Sequence, residues 1–111
     1  GESRKDDPVV ETVQKTVEGD VAGVGKKYIS VEYLVKEGSV YELRLAVDDA
    51  TKVVNKKSIG EIHPGDKVSV VYEEKQEITE KKSETRYRAL VIHFISAKEK
   101  KPELYSSGEA S

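Results

Sequence analysis

Few side chains in this sequence are suited to nucleophilic or acid–base chemistry. The chain contains no cysteine and two histidines, His63 and His93. No serine lies in the G-x-S-x-G turn that presents a catalytic nucleophile. Acidic residues occur throughout a chain that is 36% charged, so any two of them would pass as an acid and a base. We therefore predict no catalytic residues and no enzymatic activity.

Metal and cofactor sites also lack a motif. Zinc sites need three or four convergent ligands, whereas His63 lies in a predicted turn and His93 on the predicted surface of a strand. Asp48 and Asp49 do not form the D-x-[DN]-x-[DN]-G calcium loop and are typical of a turn. We predict no metal and no cofactor.

One group of residue types is suited to binding. Tyr87 lies between Arg86 and Arg88, and Arg44 lies in an earlier strand pattern. Arginine and aromatic side chains together can bind single-stranded nucleic acid, although a surface tyrosine in a hairpin stem needs no such role. Five glutamates within 73–84 would repel phosphates, which disfavours nucleic acid. The sequence does not identify the partner, for which a protein and an oligosaccharide are the candidates. The candidate binding residues are Arg44, Arg86, Tyr87 and Arg88.

The composition limits the kind of fold that can position these residues. The 111 residues suffice for one small domain, and 19 basic against 21 acidic residues exclude a generally basic nucleic-acid binder. Val, Ile, Leu and Phe number 28, above the level of a disordered chain. No apolar run approaches the roughly 20 residues of a membrane-spanning helix. We expect a folded domain at 9–98 between two flexible polar segments, 1–8 and 99–111.

Valine dominates the folded region and indicates strands, because its β-branched side chain favours extended backbone. Apolar and polar residues alternate over 27–36 and 40–47, and the turn residues Glu37-Gly38-Ser39 between them predict a β-hairpin. Further strands are predicted over 67–72 and 89–96, of which the last should be the most buried.

Shorter signals complete the predicted fold. Thr16–Val21 begins an earlier strand, in which Gly19 would allow a sharp bend or a bulge. Val9–Val13 fits an extension of this strand, a separate edge strand or a short helix. Ser58–Ile62 predicts one helical turn, and His63-Pro64-Gly65-Asp66 predicts a type II turn. Five or six antiparallel strands with one short helical turn predict an all-β fold, a small closed or partly open barrel.

The segment 73–88 is almost entirely polar. It has five acidic and five basic residues, and Ile78 is its only aliphatic side chain. Since it has so little to bury, we predict a protruding, solvated hairpin or a mobile loop with its apex at Thr79–Ser83. The predicted paired stems are Tyr72–Glu77 and Glu84–Ala89.

A series of motifs runs through the folded region: TVEGDV at 16–21, KEGSV at 36–40, DATKV at 49–53, IHPGDKVSVVY at 62–72 and ALVI at 89–92. This series resembles a broad bacterial family of small OB-like β-barrel domains, found in exported and membrane-anchored proteins. The resemblance implies an OB-like barrel and brings no catalytic residues and no cofactor.

The predicted function follows from this resemblance and from the polar ends. We expect a non-enzymatic β-barrel module of an exported bacterial protein, periplasmic or extracellular, that acts in binding or as a structural spacer. The alternative is an OB-like binder of single-stranded nucleic acid or oligosaccharide. The opening Gly1-Glu2-Ser3 is typical of the remainder of a removed tag, so a signal peptide or lipid anchor would lie upstream. A monomer is expected.

Overall fold

A computed structural model describes residues 8–98 of the chain. Its elements, in chain order, are β1 (Val9–Val24), β2 (Tyr28–Leu34), β3 (Val40–Ala46), β4 (Lys52–Val54), a 3-10 turn (Ile59–Glu61), β5 (Lys67–Ile78) and β6 (Ser83–Ser96). The predicted polar segments 1–8 and 99–111 lie outside the described residues, apart from Pro8. No helix within residues 8–98 is long and apolar enough to cross a membrane.

The six strands form one sheet in the order β3-β2-β1-β5-β6-β4, and this sheet closes because β3 also pairs with β6. The all-β barrel is therefore confirmed, with five strands closing it and β4 lying against β6 as an extra strand. The pairs β1–β2, β2–β3, β1–β5 and β5–β6 are antiparallel as predicted, whereas β3 and β4 run parallel to β6. An odd number of strands cannot alternate in direction around a closed ring, so one contact of a five-stranded barrel must be parallel.

Aliphatic side chains from alternate strand positions fill the barrel, as the period of two requires. The buried core consists of Val17, Val21, Ile29, Val31, Leu45, Val47, Ile62, Val68, Val70, Tyr72, Ala89 and Ile92. The predicted helical turn is confirmed as the 3-10 turn, which is followed by buried Ile62 and carries partly buried Ile59.

The prediction that 89–96 is the most buried strand is wrong. In β6 only Ala89 and Ile92 belong to the buried core. The register between β5 and β6 shifts at Val71 and Tyr72, which lets residues three positions apart both point inward. A strand with this irregularity cannot bury a continuous alternate row.

Gly19 allows two strands to approach closely, and the bulge that was one of the two alternatives predicted there does not lie at Gly19. The register of β1 against β5 continues through Gly19, and the bulge against β2 comes between Val21 and Gly23. A Cβ atom on Gly19 would overlap the backbone oxygen of Glu32 in β2. The missing side chain is therefore needed for β2 to cross over β1 at this point.

The turn at His63-Pro64-Gly65-Asp66 is the predicted type II turn. Gly65 has a φ of +96°, and the Asp66 N–H donates to the His63 carbonyl at 3.0 Å. The Asp66 carboxylate is buried and accepts backbone N–H bonds from His63 (2.9 Å) and Lys98 (3.3 Å). This turn thus fixes the start of β5 against the end of β6.

Three strands continue beyond the barrel as an arm, which consists of Val9–Lys15 of β1, Glu73–Ile78 of β5 and Ser83–Tyr87 of β6. β5 lies in the middle, since it pairs with both of the others along this length. Val9–Val13 thus extends β1, which is the first of the three alternatives. The segment 73–88 forms the predicted hairpin, and the Thr79 N–H closes its apex onto the Lys82 carbonyl at 2.8 Å.

Candidate ligand-binding groove

The predicted binding residues lie near the place where the barrel is least closed. β3 and β6 pair at Ala46 and Arg88, and on the N-terminal side of this pair the two strands are not bonded to each other. A groove of about 410 Å³ occupies this opening. Its lining consists of Lys27, Tyr28, Arg44, Leu45, Ala46, Thr85, Arg86 and Tyr87.

Arg44 is held at the β3 side of the groove by an aromatic ring. Its neighbour Leu45 points into the core, so strand alternation turns Arg44 outward. The guanidinium carbon lies 3.9 Å from the centroid of the Tyr28 ring, a cation–π contact. The pairing of Tyr28 with Ala46 and of Ser30 with Arg44 makes this contact a diagonal one across the β2–β3 hairpin. A stacked guanidinium keeps N–H donors at its edge, where an acceptor can reach them.

Arg86 and Tyr87 reach the groove from opposite faces of β6. Tyr87 lies on the face that continues the barrel interior, and its ring meets the Tyr72 ring edge-to-face with centroids 6.1 Å apart. Arg86 lies on the other face, where its guanidinium is 3.4 Å from the Glu84 carboxylate. The Tyr87 ring is therefore not sandwiched between arginines, although its sequence neighbours are Arg86 and Arg88.

Arg88 is outside the groove lining. Its guanidinium lies 3.3 Å from the Asp48 carboxylate and 3.6 Å from the Glu73 carboxylate. The structure thus brings Arg44, Arg86 and Tyr87 to one groove and places Arg88 in an ion-pair cluster that joins the turn after β3 to β5.

The groove lining is cationic, with Lys27, Arg44 and Arg86 and no carboxylate. Acidic residues near the groove are paired with bases: the Glu84 carboxylate lies 3.4 Å from the Arg86 guanidinium at the groove margin, and Glu74 pairs with Lys15 at 2.8 Å. The hydrogen bond and charge of Glu74 raise the pKa of Lys15. An anion in this groove would meet positive charge first.

Tyr72 supports the groove from within the barrel end. Burial raises the pKa of the Tyr72 phenol, which moves its ionisation further above physiological pH, where the side chain is neutral. A neutral ring at this position can pack against Tyr87 without adding negative charge beside the groove.

Five of the eight lining residues were not among the sequence candidates, and they include one base, Lys27, and one aromatic residue, Tyr28. The signal that identifies Tyr28 is the hairpin register, because a turn at Glu37-Gly38-Ser39 sets which residues of the two strands lie across from each other. Counting back from this turn places Tyr28 beside Arg44. Lys27 then follows as the residue before β2.

The histidines contribute to neither this groove nor a metal site. His63 is exposed in the type II turn, and His93 lies on β6 opposite Ser69 of β5. Within residues 8–98 no group of three or more His, Asp or Glu side chains could hold a metal ion.

A larger cavity, of about 660 Å³, lies beside the 3-10 turn and carries charges of both signs. Two of its polar side chains already serve local turns. The Asp48 carboxylate accepts the Ala50 N–H at 3.0 Å, and the Ser58 hydroxyl accepts the Gly60 N–H at 3.2 Å. We therefore favour the smaller groove, whose cations face outward.

No protein-family model, no curated protein and no solved structure matches this chain. The resemblance described above therefore stays a prediction. The geometry itself defines a class, an all-β OB-like barrel with a cationic groove at its β3–β6 opening. OB-like barrels use the face of their second and third strands to bind oligonucleotides and oligosaccharides. The Tyr28–Arg44 contact lies on those two strands.

Proposed function

We propose that this chain is a non-enzymatic β-barrel binding module that takes its ligand in the groove between β3 and β6. The convergence of Lys27, Arg44 and Arg86 on one opening without a carboxylate carries this proposal. Like charges repel one another, so placing them beside the single β3–β6 pair would not stabilise a barrel that served only as a structural spacer.

The proposed ligand is an extended anionic chain, and we favour an acidic oligosaccharide. Binding of single-stranded nucleic acid relies on open aromatic faces on which successive bases stack. In this groove Arg44 covers one face of Tyr28, and Tyr87 is half-buried against Tyr72. Charge-assisted hydrogen bonds from the arginines suit carboxylate or sulfate groups on a sugar chain.

The second candidate is single-stranded nucleic acid, which the OB-like fold and the basic lining favour together. We propose a periplasmic or extracellular location on the family resemblance, and an acidic polysaccharide would be accessible there.

Titration followed by amide NMR tests the proposal. The probes are an oligomer of a uronic acid, a neutral oligosaccharide of equal length and oligo(dT). We expect the acidic sugar to shift the amides around Lys27, Arg44 and Arg86. Replacing Arg44→Gln should weaken its binding about tenfold, because one charge-assisted contact is lost.

Lys56→Gln is the matched control. The Lys56 Nζ atom lies 4.5 Å from the centroid of the Phe94 ring, so this variant also removes one cation from an aromatic face. It should leave the affinity unchanged. Equal binding of the neutral sugar would contradict recognition by charge, tighter binding of oligo(dT) would favour the second candidate, and no shift with any probe would leave the spacer role.

A further inference from the structure

The β1 side of the arm presents an open strand edge. Among the described residues, β2 pairs with β1 from Asp20 onward, so Val9–Lys15 is bonded to β5 on one side and to no strand on the other. Val9, Val10 and Val13 on this edge are 54%, 49% and 50% exposed. An edge of this length and apolar character is a template for another strand.

The other edge of the arm is protected by charge. Ser83–Tyr87 carries Glu84 and Arg86, and Lys82 precedes it in the apex. Charged side chains along an edge oppose strand addition, since pairing would bury or crowd them. The β1 edge also carries two charges, Glu11 and Lys15, but it adds three exposed valines, whereas Ser83–Arg86 has no apolar side chain, so the β1 edge is better suited to pairing.

The side chains of this edge are self-complementary about Val13. On the face that continues the barrel interior, β1 presents Val9, Glu11, Val13, Lys15 and Val17 in order. An acid lies two residues before Val13 and a base two residues after it. Antiparallel pairing with an identical strand, centred on Val13, therefore places each Glu11 opposite Lys15 of the second copy.

We propose that β1 pairs antiparallel with β1 of a second copy of this chain in the register centred on Val13. The two three-stranded arms then form one six-stranded sheet, with the barrels at opposite ends. The two Val13 side chains meet on the two-fold axis, and a Glu11–Lys15 pair flanks them on each side. This dimer replaces the monomer expected from the sequence.

Other registers are less favourable. A slip of two residues places Glu11 or Lys15 opposite Val13, and a slip of four places like charges opposite each other. A slip of an odd number would turn the inner face of one arm to the outer face of the other. The proposed register also joins existing charges, because Lys15 already lies 2.8 Å from Glu74 and can bond a second carboxylate.

The absence of cysteine makes crosslinking a clean test. In this register the two Val13 Cα atoms should lie about 4.5–5.5 Å apart, within the range of a disulfide. We expect the full-length Val13→Cys variant to form a covalent dimer under mild oxidation at least about ten times faster than Thr85→Cys. Thr85 is the matched control, since it is exposed on the other edge of the same arm.

Sedimentation of the unmodified chain provides the second measurement. The contact is one short strand pair, so the dimer should be weak and should grow with concentration through the micromolar and millimolar range. Val13→Lys places two ammonium groups on the two-fold axis and should leave a monomer at all concentrations. Thr85→Lys should associate like the unmodified chain.

Either of two results would overturn the proposal: a mass that stays that of one chain at millimolar concentration, or equal crosslinking rates for the two cysteine variants. A monomer whose Val9–Lys15 amides gain protection only from an unrelated extended peptide would assign this edge to a foreign strand and would also overturn self-pairing.

Discussion

Arg44, Arg86 and Arg88 carry the same charge, but their neighbours leave different amounts of it available to a ligand. Arg44 stacks on a neutral ring, 3.9 Å from the centroid of Tyr28, and keeps its full charge at the groove. Arg88 lies between two carboxylates, which offset its charge. The proposed ligand therefore depends on Arg44 more than on Arg88, although both are arginines in a strand pattern.

Gly19→Ala is expected to destabilise the barrel strongly. The added Cβ would overlap the Glu32 backbone oxygen, and a backbone atom cannot move aside as a flexible side chain can. We expect a loss of about 2–3 kcal/mol in the free energy of unfolding, measured by urea denaturation.

Gly60→Ala is the matched control for this substitution. Its Cβ would meet only the Ser58 hydroxyl at 3.5 Å, an ordinary contact, and we expect a change below about 0.5 kcal/mol. Similar losses in the two variants would show that β2 does not cross β1 as closely as described.

The arm shows how an element can form with almost nothing to bury. Glu73–Ile78 is polar on both faces because both faces meet solvent, and its strand character comes from pairing with β1 on one side and β6 on the other. The Tyr72–Tyr87 contact joins its base to the barrel, and the Lys15–Glu74 ion pair joins two of its strands to each other. Its stability should therefore fall from the barrel toward the apex.

Replacing 79–83 by a short glycine-serine linker should leave the barrel almost unchanged. The apex is held by its own bonds, in which the Thr79 hydroxyl accepts the Lys82 N–H at 3.1 Å, and none of its residues belongs to the core. We expect less than about 0.5 kcal/mol of change in thermal or urea unfolding. Ile62→Ala, in the core beside the 3-10 turn, should cost about 2–4 kcal/mol and serves as the comparison.

Heteronuclear NMR relaxation on the unmodified chain checks the same element. Amides of 79–83 should be more mobile on the nanosecond scale than those of β5 within the barrel, because the apex has little packing to offset its ordering entropy. Uniformly rigid apex amides, or a large loss with the linker, would show that the apex packs against the barrel.

For the molecule as a whole, closure depends on a few long-range contacts around β6. Ala46 and Arg88 form the β3–β6 pair, and the Thr51 hydroxyl donates to the Ala89 carbonyl at 2.8 Å just beyond it. β4 then continues the parallel pairing along β6. The groove opens on the other side of the Ala46–Arg88 pair, so the contacts that close the barrel lie directly beside the proposed binding surface.

The barrel should fold without its arm. In the shortened variant, 9–14 is deleted and an Asn-Gly turn joins Glu74 to its cross-strand partner Tyr87. This variant keeps all twelve core residues. We expect a cooperative unfolding transition within a few degrees of the unmodified chain in calorimetry. Loss of that transition would mean that the arm takes part in the folding unit.

The sequence by itself determined what depends on neighbouring residues. The alternation of Val68, Val70 and Tyr72, the type II turn at Pro64-Gly65 and the hairpin on both sides of Gly38 are all set within a few residues. Such features follow from strand periodicity and from the φ preferences of proline and glycine, and the structure has each of them. The all-β class follows from the same local signals.

Only the tertiary structure decided what depends on distant partners. Val9–Val13 became strand because β5 offers it an edge, and Gly19 is needed because Glu32 passes over it. Arg88 lies outside the groove that the other predicted residues line, and it is paired with Asp48, 40 positions away in the sequence. Tyr28 lines the groove because the hairpin register places it beside Arg44. Long-range pairing depends on which strand edges and which charged side chains come together when the barrel closes, and local sequence patterns do not specify these contacts.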